Sequence, residues 1–157
     1  MLTGRYLRCA EAEITFGTVR VCAMYAAVSY YYSSRVTEVL NASTVAAVPE
    51  TGCSQLANGE QMAGNVALIS EGNCSFSEQV RNAQAAGAVA VIIANAPADS
   101  YNDVDFSGVT VPALAVTPYA AAKLRENSGR ACAIRIGTRA FRYPLLHSPH
   151  DRLERAA

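Results

Sequence analysis

The chain is 157 residues long, enough for one compact domain and too short for two sizeable ones. It is 51% hydrophobic and 17% charged, which excludes wholesale disorder. Thirteen basic residues balance thirteen acidic ones, which argues against nucleic-acid binding, and no apolar run reaches the ~18 residues of a membrane helix.

In the first segment, residues 1–33, Arg5, Arg8 and Arg20 are interspersed with Glu11 and Glu13. Val21 to Tyr32 (VCAMYAAVSYYY) then runs apolar and aromatic. Its length matches the core of a signal peptide, although the glutamates upstream are unusual for the positive leader of one. Val19, Val21, Val28, Tyr30, Tyr31 and Tyr32 equally suit one or two β-strands. Strands and a degenerate signal both remain open for this segment.

From Gly64 the pattern sharpens. Val66 to Ile69 is a short apolar run that predicts a buried strand. Glu71-Gly72-Asn73-Cys74 is turn chemistry, and Ser75 to Glu78 (SFSE) is a capping box that opens a helix. Phe76, Val80 and Ala83 fall on one helical face, and Glu78, Gln79, Arg81 and Gln84 are expected to point outward. Gly87 ends the helix, and Ala88 to Ala94 (AVAVIIA) predicts a second strand. Strand, helix and strand with short turns predict a parallel pair joined by a right-handed crossover. Residues 95–109 read as an exposed polar loop. Val111 to Val116 predicts a third strand with Pro112 near its start or on an edge. Thr117-Pro118 reads as an N-cap followed by proline in the first helical turn, with a helix over Tyr119 to Asn127. Cys132, Ile134 and Ile136 alternate as a half-buried strand does. Residues 138–157 read as a polar tail or truncated linker.

Cys9, Cys22, Cys53, Cys74 and Cys132 form no CxxC pair and have no histidine at zinc-finger spacing. Disulfides in an oxidising compartment and buried thiols in a reducing one both fit, and the odd count leaves at least one thiol unpaired within the chain.

The stretch from Thr51 to Gly137 resembles the protease-associated (PA) domain family. The resemblance rests on Cys53, on GNVALISEGNCSFSEQVRNAQAAGAVAVIIAN from Gly64 to Asn95, and on VPALAVTPYAAAKL from Val111 to Leu124. It implies an α/β (α+β) fold over residues 34–137: an open β-barrel or sandwich of about six strands with two flanking helices, containing the βαβ unit. It implies a non-catalytic module that binds a peptide or protein in the secretory, endosomal or vacuolar lumen or outside the cell. Related modules occur as regulatory lids of subtilisin-like peptidases, aminopeptidases and intramembrane aspartyl peptidases. They also form lumenal domains of membrane ubiquitin ligases and sorting receptors. The resemblance pairs Cys53 with Cys74 as a disulfide. Many members carry a basic residue where this chain has Glu71, so an anion-binding role is not transferred to that position.

The turn at Glu71, Gly72, Asn73 and Ser75 follows a strand and opens a helix, where amides favour acidic groups or a peptide carboxylate. These four residues, with Asp103 and Asp105 of the following loop, are the candidate peptide contacts. Asn41-Ala42-Ser43 and Asn73-Cys74-Ser75 are glycosylation sequons. Asn73 is the weaker of the two, because Ser75 is committed to a cap and Cys74 to the bridge that the resemblance implies. Asp99, Asp103 and Asp105 do not match calcium-loop spacing, and His147, His150 and Asp151 lack a zinc-site partner, so neither a metal nor a cofactor is expected. No GxSxG elbow or HExxH motif occurs, and no catalytic residue is assigned. A small hydrolase using His147 or His150 is the remaining alternative, and no motif supports it.

Overall fold

A computed structural model describes residues 12–23, 25–26, 38–94 and 108–136. In chain order the strands and helices are β1 (Ala12–Phe16), β2 (Val19–Ala23), β3 (Tyr25–Ala26), β4 (Glu38–Ala46), α1 (Gly59–Met62), β5 (Val66–Ser70), α2 (Phe76–Ala85), β6 (Ala90–Ala94), β7 (Ala113–Val116), α3 (Pro118–Glu126) and β8 (Ala131–Ile136). One sheet of eight strands runs in the order β2-β1-β8-β4-β5-β6-β7-β3. The class is the mixed α/β one expected, with eight strands among the described residues where about six were anticipated.

Strands β4, β5, β6 and β7 are mutually parallel. Helix α2 connects β5 to β6, so the predicted strand–helix–strand unit is present, with Val66 opposite Ala90 and Ser70 opposite Ala94. Burial explains why the strand residues are apolar throughout. Val66, Leu68, Ala90, Ile92, Leu114 and Val116 pack on one face with Ala120, Ala121 and Leu124 of α3. Ala67, Ile69, Val91, Ile93, Ala113 and Ala115 pack on the other face with Phe76, Val80 and Ala83 of α2. Parallel strands covered on both faces lose the polar alternation of a half-exposed sheet. Pro112 is buried just before β7, where it needs no ladder donor, and its carbonyl accepts from the Val91 amide at 2.9 Å.

The antiparallel half begins with a β1–β2 hairpin that turns at Gly17 (φ 60°). Strands β1 and β4 flank β8. Strands therefore occupy part of the first segment, including Val19 and Val21. Val28, Tyr30, Tyr31 and Tyr32 lie outside the described residues, as does the tail from 138 onward.

Strand β4 was not predicted, and its irregular register explains why. Val39 pairs with Ile134 and Ala42 with Cys132, so two residues of β4 face one of β8. This bulge places Asn41 at φ 59° and breaks the alternation that marks a strand in sequence.

Candidate functional site

Because β4 to β7 are parallel, their carboxyl ends lie along one edge of the sheet. The segments that leave this edge carry the candidate contacts. The turn of residues 71–75 follows β5 directly, and the Glu71 amide donates to the Ala94 carbonyl at the end of β6 at 3.3 Å. The Ser75 hydroxyl accepts from the Glu78 amide at 3.2 Å, which is the N-cap half of the predicted capping box. Glu71, Asn73 and Ser75 are exposed and Gly72 is half-buried.

Three attachments hold the turn. Cys53 and Cys74 form a disulfide with a Cα–Cα distance of 5.6 Å, as the family resemblance implied. The bridge ties the segment after β4 to the segment after β5. Gly72 is pressed against the same segment: a Cβ there would lie 2.7 Å from the Thr51 Cβ and 3.0 Å from the Cys53 Sγ, so only glycine fits without a shift. The third attachment corrects the sequence reading. Gln79 does not point outward; it is 3% exposed. Its Nε2 donates to the Thr51 carbonyl at 2.7 Å and to the Ser70 carbonyl at 2.9 Å. An apolar side chain at that position would leave both carbonyls without these donors, which is why a polar residue is buried beside Phe76, Val80 and Ala83.

Asn82 extends the clamp, its Nδ2 donating to the Gly52 carbonyl at 2.8 Å. Gln84 performs the same task for the segment entering β7. It donates to the Gly108 carbonyl at 3.0 Å and accepts from the Thr110 amide at 2.8 Å. These amides escape sequence reasoning because helical spacing by itself does not distinguish a solvated Gln from one that serves a loop.

The same edge carries a short polar chain. The Ser70 hydroxyl donates to Glu50 Oε1 at 2.9 Å, and Arg125 Nη2 of α3 donates to the Ser70 Oγ at 3.3 Å. A cation thus stands beside the residue that precedes Glu71, supplied by a different element. Val48 and Tyr119 are the large hydrophobic residues exposed among those described, at 51% and 39%. Val48 follows β4 and Tyr119 stands in the first turn of α3 after β7, so both leave the sheet at its carboxyl-end edge, from strands about three spacings or ~14 Å apart. The Lys123 ammonium stands 5.7 Å from the centroid of the Tyr119 ring. Neither apolar residue nor Arg125 was a candidate from sequence, because each reaches the edge that carries the turn only through strand order. Asp99, Asp103, Asp105, His147, His150 and Asp151 lie outside the described residues.

A model of the PA domain family matches residues 40–124. Over 47 residues the chain is 45% identical to ER degradation-enhancing alpha-mannosidase-like protein 3 of Xenopus laevis, covering 30% of this chain and 5% of that protein. Over 96 residues it is 36% identical to receptor homology region, transmembrane domain- and RING domain-containing protein 6 of Arabidopsis thaliana, covering 55% of this chain and 29% of that one. The chain therefore spans under a third of the length of either relative. Among solved structures, the subtilisin-like protease Apa1 of Pseudoalteromonas sp. AS-11 is alike in fold, with a TM-score of 0.52 at 17% identity over 86% of this chain and 35% of that one. The matched span runs from within β4 to Leu124 of α3 and contains the disulfide, the capped turn and the helices over both faces of the parallel strands, and the chain belongs to the PA domain family.

Proposed function

We propose that this PA domain is a non-catalytic interaction module that holds a peptide or protein segment across the carboxyl-end edge of its parallel strands. The observation that carries the reading is the placement of Val48 and Tyr119. Both large exposed hydrophobic residues flank the one edge where the turn of residues 71–75 is clamped. The strand that the turn follows, β5, stands between β4 and β7, and its turn exposes Glu71, Asn73 and Ser75, with Arg125 bonded to Ser70. An extended segment with apolar side chains about four residues apart and polar groups between them matches that spacing at ~3.4 Å per residue. The Cys53–Cys74 bridge and the names of the relatives support residence in the secretory, endosomal or vacuolar lumen, or outside the cell.

A displayed library of random peptides, selected on the full chain and mapped by amide chemical shifts, tests the proposal. Enriched peptides are expected to perturb residues 48–50, 70–75 and 118–125. Val48→Asp and Tyr119→Asp are each expected to weaken them about tenfold, or ~1.4 kcal/mol. Peptides that map instead to the β1–β2 hairpin, or a selection without enrichment, would overturn it.

The partial coverage of the relatives favours a second reading, in which the same edge serves within a larger chain. The domain would then act as a regulatory lid of a peptidase or as a lumenal domain of a membrane ubiquitin ligase or sorting receptor. Mapping both ends of the transcript tests this, because it requires a membrane span or peptidase motif beyond the present sequence.

A further inference from the structure

We infer that Asn41 is the N-glycosylated position of this domain and that Asn73 is not, a conclusion that rests on the lumenal reading above. Both asparagines are exposed and both stand in a sequon. The structure separates them by three features.

The first is the backbone at each acceptor. Asn41 occupies the bulge of β4 at φ 59°, a conformation that asparagine tolerates and most residues avoid. Its side chain makes no hydrogen bond to another described residue, so a sugar on Nδ2 displaces no such bond. The second is what folding does to the other sequon. Asn73 lies between Gly72, pressed onto Thr51, and Cys74, bridged to Cys53. Ser75, whose hydroxyl the sequon requires, caps α2 and lies 3.2 Å from the Ser77 Oγ; Ser43 of the other sequon likewise donates to the Gly129 carbonyl at 3.3 Å, so it is the bridge, not the engaged hydroxyl, that separates the two. Once the bridge closes, that tripeptide is no longer available in extended form to a transferase.

The third feature is location. Asn41 precedes Thr44, the residue that pairs with the first residue of β5, whereas the docking edge lies beyond Ala46. The intervening five residues span ~17 Å of strand. A glycan at Asn41 leaves the edge open, whereas one at Asn73 would cover the turn that the edge presents. The donor is a lipid diphosphate oligosaccharide. Nδ2 bonds to its anomeric carbon, the carbon–oxygen bond to the diphosphate breaks, and the amide loses one proton.

The full chain, directed into the lumen of eukaryotic secretory cells, provides the test by intact mass and peptide mapping. The expected product carries one N-glycan, which peptide N-glycosidase F removes with conversion of residue 41 to aspartate. Asn73→Gln is expected to leave the glycan in place. Asn41→Gly, which preserves the left-handed backbone, is expected to abolish it, and Ser43→Ala does so while keeping Asn41. A product with the Cys53–Cys74 bridge formed but residue 41 unmodified, or with its glycan on Asn73, overturns the inference and leaves the lumenal reading standing. A product with neither bridge nor glycan overturns both.

Discussion

Gln79 shows how one side chain decides whether a turn is rigid. Its amide supplies two donors to carbonyls of two different segments, and a hydrophobic replacement would leave both acceptors without them. Gln79→Leu is therefore expected to destabilise by ~1–3 kcal/mol in urea unfolding and to speed amide exchange in residues 71–75. Cys132, on β8, is 4% exposed and carries a free thiol. Burial pushes its pKa up, and a backbone hydrogen bond offsets part of that shift. The neutral thiol thus favours the fold. Its contribution is complete below the ordinary thiol value of about 8.5 and is lost as pH rises towards the higher folded value. Thermal unfolding between neutral and alkaline pH is expected to fall more steeply for the native chain than for Cys132→Ala; equal slopes would refute this role.

Helix α2 was legible because its signals are local: a capping box, an apolar stripe and a terminating glycine. Gly87 adopts φ 94°, a conformation that favours glycine, and a Cβ there would lie a tight 3.1 Å from the Cα of Ala63. Ser75→Ala removes the cap and is expected to cost about 1 kcal/mol, read as a lower urea midpoint and faster exchange at the Glu78 amide. Strand β4 was illegible for the opposite reason, because its bulge shifts the pattern by one residue midway. The charges near the start of the chain had no evident order in sequence. In the sheet they form a ladder across β2, β1, β8 and β4: Arg20 to Glu13 at 3.4 Å, Glu13 to Arg135 at 3.8 Å and Arg135 to Glu38 at 3.0 Å. The hydrogen bond and charge of Glu38 push the Arg135 pKa above its ordinary value. A ladder of this kind arises from register, and residues 13 and 135 become neighbours only when β1 pairs with β8.

At the scale of the molecule, the parallel and antiparallel halves meet in β4, which pairs with β5 on one side and β8 on the other. The Cys53–Cys74 bridge closes a loop with a sequence separation of 21, worth roughly 3 kcal/mol by restriction of the unfolded chain. Cys53→Ala with Cys74→Ala is expected to lower stability by about that amount, measured by denaturant unfolding. Cys22 is disulfide-bonded as well, so a lone 53–74 bridge does not describe the chain. Among the described cysteines, Cys22, Cys53 and Cys74 are bonded and Cys132 is a free thiol. Thiol titration with peptide mapping under denaturing, non-reducing conditions is expected to label Cys132 and to leave Cys22, Cys53 and Cys74 unlabelled; five labelled thiols would contradict the oxidised state.

The amino-acid order alone determined the parallel unit and both larger helices, because caps, apolar runs and terminating glycines act between residues a few positions apart. The family likeness came from the same short-range motifs. The edge that gathers Val48, Glu71, Arg125 and Tyr119 was decided only by tertiary structure. Val48, Glu71 and the pair Tyr119 and Arg125 of α3 stand far apart in the chain, and strand order brings the segments that carry them to one edge, where the disulfide and the buried amide of Gln79 fix the turn. No local pattern encodes that proximity, since it depends on which strands pair and in what direction.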